Sequence, residues 1–164
     1  MLLQSKQPEL LAVYGRRRVG KTYLIRQYFL KKLVFTCSGQ LNSSTPQQLF
    51  NFTSQLQQYF SFEKPAIVPT NWQQAFAMLW EKLSALKSDS KKVIFLDELP
   101  WLDTHKSGFL AAFDYFWNMH VSTRPDLIVV ICGSAASWII KKVVNYKGGL
   151  HNRITQRIRL LPSH

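Results

Sequence analysis

An α/β fold is predicted by three features of the sequence. Short apolar runs alternate with longer amphipathic stretches, a Gly-punctuated octet follows the first run, and an acidic pair closes a later one. Leu10–Tyr14 is the first strand-like run and stops at Gly15. Thr22–Leu30 carries Leu24, Ile25, Tyr28 and Phe29 at helical spacing, and Leu33–Cys37 is the second strand. Pro46 suits the first turn of a helix running to Phe60, with Thr45 as its N-cap. Residues 63–70 hold two prolines and read as a connection. A helix over Trp72–Leu86 puts Phe76, Leu79, Trp80 and Leu83 on one face. Val93–Leu96 is a continuous apolar run, as expected of a strand covered on both sides. Ser107–His120 reads as a helix whose Phe109, Phe113, Phe116, Trp117 and His120 share one side, a stripe that belongs to core packing. Arg124-Pro125-Asp126 breaks that helix, and Leu127–Ile131 is the most strand-like segment of all. Ala135–Val144 reads as a helix, Lys147–Gly149 as a loop and Gln156–Leu160 as a last strand.

Composition narrows the class. With 164 residues, 46% hydrophobic and 18% charged, the chain is read as one domain, 1–164, with a sizeable core. No apolar run nears the ~18 residues of a bilayer crossing, and the N-terminus lacks the pattern of a signal peptide. The expected setting is therefore cytoplasmic, with no membrane partner. Cys37 and Cys132 sit in apolar runs and read as small core hydrophobes of a reduced protein. Net charge is the unusual quantity, at +12. Met1–Lys32 holds eight basic residues against Glu9, and no acid follows Asp126 while Lys141, Lys142, Lys147, Arg153, Arg157 and Arg159 do. Such basic ends suit phosphate, either of a nucleotide or of a nucleic acid, with a plainly solvated surface as the ordinary alternative.

The octet is Gly15-Arg16-Arg17-Arg18-Val19-Gly20-Lys21-Thr22, a full match to G-x-x-x-x-G-K-S/T. A strand ends, the backbone curls, and successive N–H groups form a nest for an anion. Glycines permit the unusual dihedrals and the close approach of phosphate. The following helix adds unpaired N–H groups and its positive dipole end. Lys21 can reach β- and γ-phosphates, and the Thr22 hydroxyl can ligate Mg²⁺. The cofactor-binding stretch is thus Gly15, Arg16, Arg17, Arg18, Val19, Gly20, Lys21, Thr22 and the adjoining Tyr23, with ATP and Mg²⁺ as the expected cofactors. No glycine stands at position 17, so this is not the dinucleotide-binding pattern.

Val93-Ile94-Phe95-Leu96 is closed by Asp97 and Glu98. At the carboxyl end of a strand both would face the crevice where α/β sheets bind ligands. Asp97 is the candidate metal carboxylate with Thr22, and Glu98 the candidate general base for an attacking water. By itself a strand ending in two acids is an ordinary solvated turn; the octet upstream favours the chemical reading. Past Leu127–Ile131 comes Cys132-Gly133-Ser134-Ala135, where Ser134 can meet a γ-phosphate or simply cap a helix.

These segments, with Asp97-Glu98-Leu99-Pro100-Trp101 and the closing Leu150–Pro162, resemble the archaeal-type (prokaryotic) ATPases related to AAA+ and STAND P-loop NTPases. The resemblance covers almost the whole chain. It implies a three-layer core with a five-stranded parallel sheet of order 5-1-4-3-2 and helices on both faces. It makes Ser134 similar to a sensor-1 residue. It aligns Arg153 with an arginine that, in assemblies, can act on a neighbour's γ-phosphate, with a surface arginine as the plain alternative. Relatives begin with a longer adenine-enclosing segment than Pro8-Glu9-Leu10-Leu11 and continue into a helical lid and winged-helix region. The expectation is therefore of a core cut at both ends.

The leading functional expectation is Mg²⁺-dependent ATP binding and hydrolysis. The alternatives are a nucleotide-operated switch acting through self-association or partner domains, and a nucleic-acid-binding module using the basic ends. A GTPase is disfavoured because no Asn-Lys-x-Asp motif occurs, and a small-molecule kinase lacks an evident acceptor site.

Overall fold

In the computed structural model, which describes residues 2–15, 20–61, 67–133, 142, 154 and 156–160, the strands are β1 (Glu9–Gly15), β2 (Leu33–Ser38), β3 (Lys92–Asp97), β4 (Leu127–Gly133) and β5 (Gln156–Leu160). They run parallel in one sheet of order β2-β3-β4-β1-β5. Parallel neighbours need long crossovers, which is why helices separate them. These are α1 (Lys21–Tyr28), α2 (Thr45–Phe60), α3 (Trp72–Ser84), the single turn α4 (Leu99–Leu102) and α5 (Phe109–Met119). The α/β class read from the alternation is the class observed. The segments read as a helix at Ala135–Val144 and a loop at Lys147–Gly149 lie outside the described residues, Lys142 apart.

Strand periodicity divides the core between the two faces of the sheet. Leu10, Ala12, Ile94, Leu96, Val129 and Ile131 point to one face, where α2, α3 and α5 supply Phe52, Trp72, Phe76, Phe109, Phe113 and Phe116. The aromatic stripe of α5 is core, as its spacing predicts: Phe76 stacks on Phe116 at 4.9 Å and Trp72 meets Phe109 edge-on at 5.0 Å. His120, at the end of that stripe, stacks on Trp80 at 4.7 Å, and burial lowers its pKa.

Leu11, Val13, Val93, Phe95, Ile128 and Val130 point to the other face, where Ile25 and Phe29 cover them. On this face the expected stripe of α1 is corrected. Ile25 and Phe29 are buried, but Leu24 and Tyr28 are 50% and 55% exposed. Of the four stripe positions, Ile25 and the C-cap residue Phe29 face the sheet, and Leu24 and Tyr28 face outward. A second correction concerns α2: its N-cap is Ser44, whose hydroxyl accepts from Gln47 N–H, while Thr45 is the first helical residue and bonds Thr104. Pro46 then occupies the second helical position, where its missing N–H costs nothing.

At the amino ends of β3 and β4 the sheet closes on an ion cluster. Asp126 is 6% exposed and accepts from Arg124 Nε and Nη2, both at 2.7 Å, and from Lys92 Nζ at 3.1 Å. Burial alone would raise its pKa, but the hydrogen bonds from Arg124 and Lys92 outweigh it and hold the carboxyl below its ordinary value. Arg124 also donates to the carbonyls of Leu83 and Leu86, tying the end of α3 to the start of β4.

Candidate functional site

The site residues gather at the opposite end, where β1, β3 and β4 finish. Gly15 is the last residue of β1, and α1 begins at Lys21 after Gly20, which takes φ 79° at the helix N-cap. A Cβ at Gly20 would meet nothing within 4 Å, so the left-handed backbone rather than space explains the glycine. That turn brings Lys21 back over the strand end: it is 6% exposed and its Nζ donates to the Gly15 carbonyl at 3.1 Å. The next residue, Thr22, donates its hydroxyl to Asp97 Oδ2 at 2.6 Å, across 75 residues of sequence.

Asp97 ends β3 and is 6% exposed. Its other oxygen accepts from the Glu98 N–H at 2.9 Å. Cys132 on β4 lies beside it, and burial, then the Asp97 charge, push the thiol above its ordinary pKa while Lys21 works the other way. Cys37, on β2, is pushed up to about 12 by burial alone, so both cysteines are neutral thiols in the core, as their apolar settings predict.

Glu98 carries the backbone irregularity of the site. It has φ 49° and ψ 50°, a left-handed conformation that costs a non-glycine residue roughly 1–3 kcal/mol. The Trp101 N–H closes the following turn onto the Glu98 carbonyl at 3.0 Å. Gly39, just past β2, donates its N–H to the Asp97 carbonyl at 2.9 Å, and a Cβ on it would stand 2.5 Å from the Glu98 carbonyl oxygen. Gly39 therefore cannot be any other residue without moving the turn that carries Glu98. Sequence reasoning missed it, because its reason is a contact with a segment some sixty residues away; a Ser-Gly pair just after a strand was the only local sign.

The structure thus joins Gly15, Gly20, Lys21, Thr22, Asp97 and Glu98. Tyr23 is 67% exposed on α1. Arg16, Arg17, Arg18, Val19, Ser134 and Arg153 lie outside the described residues. Thr22 and Asp97 place a hydroxyl and a carboxylate oxygen together, a hard donor pair that fits Mg²⁺. Among the described residues no group of three His, Cys, Asp or Glu side chains is arranged to hold a metal by itself.

A family described as an ATPase domain predominantly from Archaea matches residues 1–162. The chain belongs to this family. An uncharacterized protein of Methanocaldococcus jannaschii is 23% identical over 161 residues, 98% of this chain and 33% of its own length. Among solved structures, the Walker-type ATPase of Pyrococcus abyssi superposes with a TM-score of 0.66 at 20% identity, over 94% of this chain and 49% of that one. Cdc6p from Pyrobaculum aerophilum gives 0.61 at 16% identity, over 96% and 40%. This chain therefore spans from a third to about half of the proteins it matches. The structural likenesses establish the fold, and the family match establishes a P-loop ATPase domain. Among the described residues no helix is long and apolar enough to cross a membrane.

Proposed function

We propose that this archaeal-type ATPase domain binds ATP with Mg²⁺ and hydrolyses it at the β–γ anhydride. The observation that carries the proposal is the 2.6 Å contact between Thr22 and Asp97. Two motifs 75 residues apart supply the two oxygens a phosphate-bound cation requires, at the carboxyl end of a parallel sheet. On this reading Lys21 exchanges its bond to the Gly15 carbonyl for the β- and γ-phosphate oxygens, and the amides of the loop and of the α1 N-terminus hold the phosphate chain. Thr22 and Asp97 would hold the Mg²⁺, which supplies charge neutralisation at the β- and γ-oxygens when bound. Glu98 orients a water for in-line attack and takes its proton. Ser134 and Arg153 keep the roles the resemblance implies, the first toward the γ-phosphate and the second toward a neighbouring copy. The whole of 1–164 is one ATPase core on this reading, and the basic ends are available to nucleic acid.

Phosphate release from Mg·ATP, compared between the chain and Glu98→Gln, tests the proposal. Turnover lower in the variant by on the order of 10²–10⁴, with ATP still bound, supports a hydrolase that uses Glu98 as base. Equal turnover in the two proteins refutes that assignment. ATP binding without turnover in either protein would favour the nucleotide-operated switch.

A further inference from the structure

Gln48 is a polar side chain with no exposed surface, set in the first turn of α2. It uses its amide on three backbone partners. Nε2 donates to the Gln40 carbonyl at 2.6 Å and to the Trp101 carbonyl at 3.1 Å, and Oε1 accepts from the Gln40 N–H at 3.0 Å. These partners adjoin Glu98 from two sides. Trp101 bonds the Glu98 carbonyl through its own N–H, and Gln40 follows Gly39, which packs against that same carbonyl. The Glu98 carbonyl is therefore bracketed by two segments, and Gln48 is the side chain that fastens the two segments to each other. A left-handed glutamate needs such bracketing, because its strained backbone persists only where its surroundings over-determine it.

We propose that Gln48 is a positioning residue for Glu98, acting through the Gln40 and Trp101 peptides and the Gly39 contact, so that α2 governs hydrolysis without touching nucleotide. The inference rests on the reading of Glu98 as the base. It explains why α2 spends a buried amide on loop backbone where an apolar residue would otherwise extend the core. It also gives α2 a mechanical role: a shift of its amino end moves the Glu98 turn while leaving Lys21 and Thr22, on the other side of the sheet, in place.

The test is a double-mutant cycle with Gln48→Met, which keeps volume and removes all three bonds. Turnover should fall by on the order of 10–10², while the dissociation constant for Mg·ATP changes less than about twofold. In the Glu98→Gln background the same substitution should cost nothing further, since the group it positions is gone. The Glu98 amide resonance should shift in Gln48→Met, with the amides of β1 unmoved. An equal loss of turnover in both backgrounds would overturn the proposal, as would an unshifted Glu98 amide. If Glu98→Gln leaves turnover intact, the reading of Glu98 as base fails, and the amide resonance alone decides whether Gln48 sets that turn. If Gln48→Met does not fold, Asn51→Ala loosens the same loop from outside by removing the 2.8 Å bond to Gln40 Oε1. A smaller fall in turnover, again with affinity kept, is then required, and no change would overturn the proposal.

Discussion

Asp97 and Asp126 are equally buried, each 6% exposed, and stand at opposite ends of the same sheet. Asp126 is met by two cations, Arg124 and Lys92, and its charge is neutralised within the fold. Asp97 accepts from the Thr22 hydroxyl on one oxygen and from the Glu98 N–H on the other, with the neutral Cys132 thiol beside it, so the donors that these bonds supply are uncharged. Burial of a carboxylate is thus no sign of function by itself; the chemistry of its partners is. One end of the molecule is saturated and holds α3 to the sheet. The other sets the Asp97 carboxyl beside the Thr22 hydroxyl and next to a strained glutamate, a pair of hard oxygens of the kind that suits a cation.

The contrast can be broken most forcefully by neutralising each carboxylate in turn. Asp97→Asn should lower ATP turnover by on the order of 10²–10³, yet leave the thermal midpoint unchanged or raised, because a buried charge is lost and an acceptor is kept. Asp126→Asn should do the reverse. It takes the shared buried carboxylate from Lys92 and Arg124 and should cost about 3 kcal/mol, a fall in midpoint on the order of 10 °C, with nucleotide affinity retained. Calorimetry and phosphate release on the two variants check both halves. Should Asp97→Asn instead unfold the chain, both aspartates are structural and the contrast disappears.

Acid titration sharpens the same point more gently. The folded Asp126 holds its proton less tightly than the unfolded residue, so its contribution is complete above the ordinary value of 3.8 and is lost as pH falls below it. Denaturant stability of the chain should therefore drop with pH in that window more steeply than that of Asp126→Asn. The smallest expected effect belongs to His120. Its pKa is lowered by burial against Trp80, so the unfolded chain binds its proton first and stability declines as pH falls below 6.5. His120→Gln should flatten that slope in a denaturant titration between pH 7 and pH 5.5.

Local patterns carried the reading as far as local patterns determine structure. The octet between a strand and a helix, and the apolar run closed by Asp97, are rules of spacing, and Thr22 and Asp97 duly meet. The continuous apolar run of β3 announces cover on both faces, and its side chains divide between the two cores. What escaped depends on distant partners. Gly39 is a glycine because of Glu98, Gln48 is polar because of Gln40 and Trp101, and Asp126 seemed part of a helix break although its partner Lys92 lies across the strand pair. The exposed half of α1 escaped for a related reason: spacing marks an apolar stripe but not how much of it a neighbour will cover. The capping error at Ser44 is a one-residue ambiguity, since proline fits either of the first two helical positions.

ATP binding measured by calorimetry, with and without Mg²⁺, on the chain and on Lys21→Ala tests the nucleotide site most directly. Lys21 Nζ donates to the Gly15 carbonyl, and one such bond contributes about 1 kcal/mol, so its removal should leave the thermal midpoint within a few degrees. Mg²⁺-dependent binding by the chain, abolished in a folded Lys21→Ala, is the outcome this account predicts. Binding of equal strength in both proteins, or binding indifferent to Mg²⁺, would mean that the Lys21, Thr22 and Asp97 cluster is not a nucleotide site.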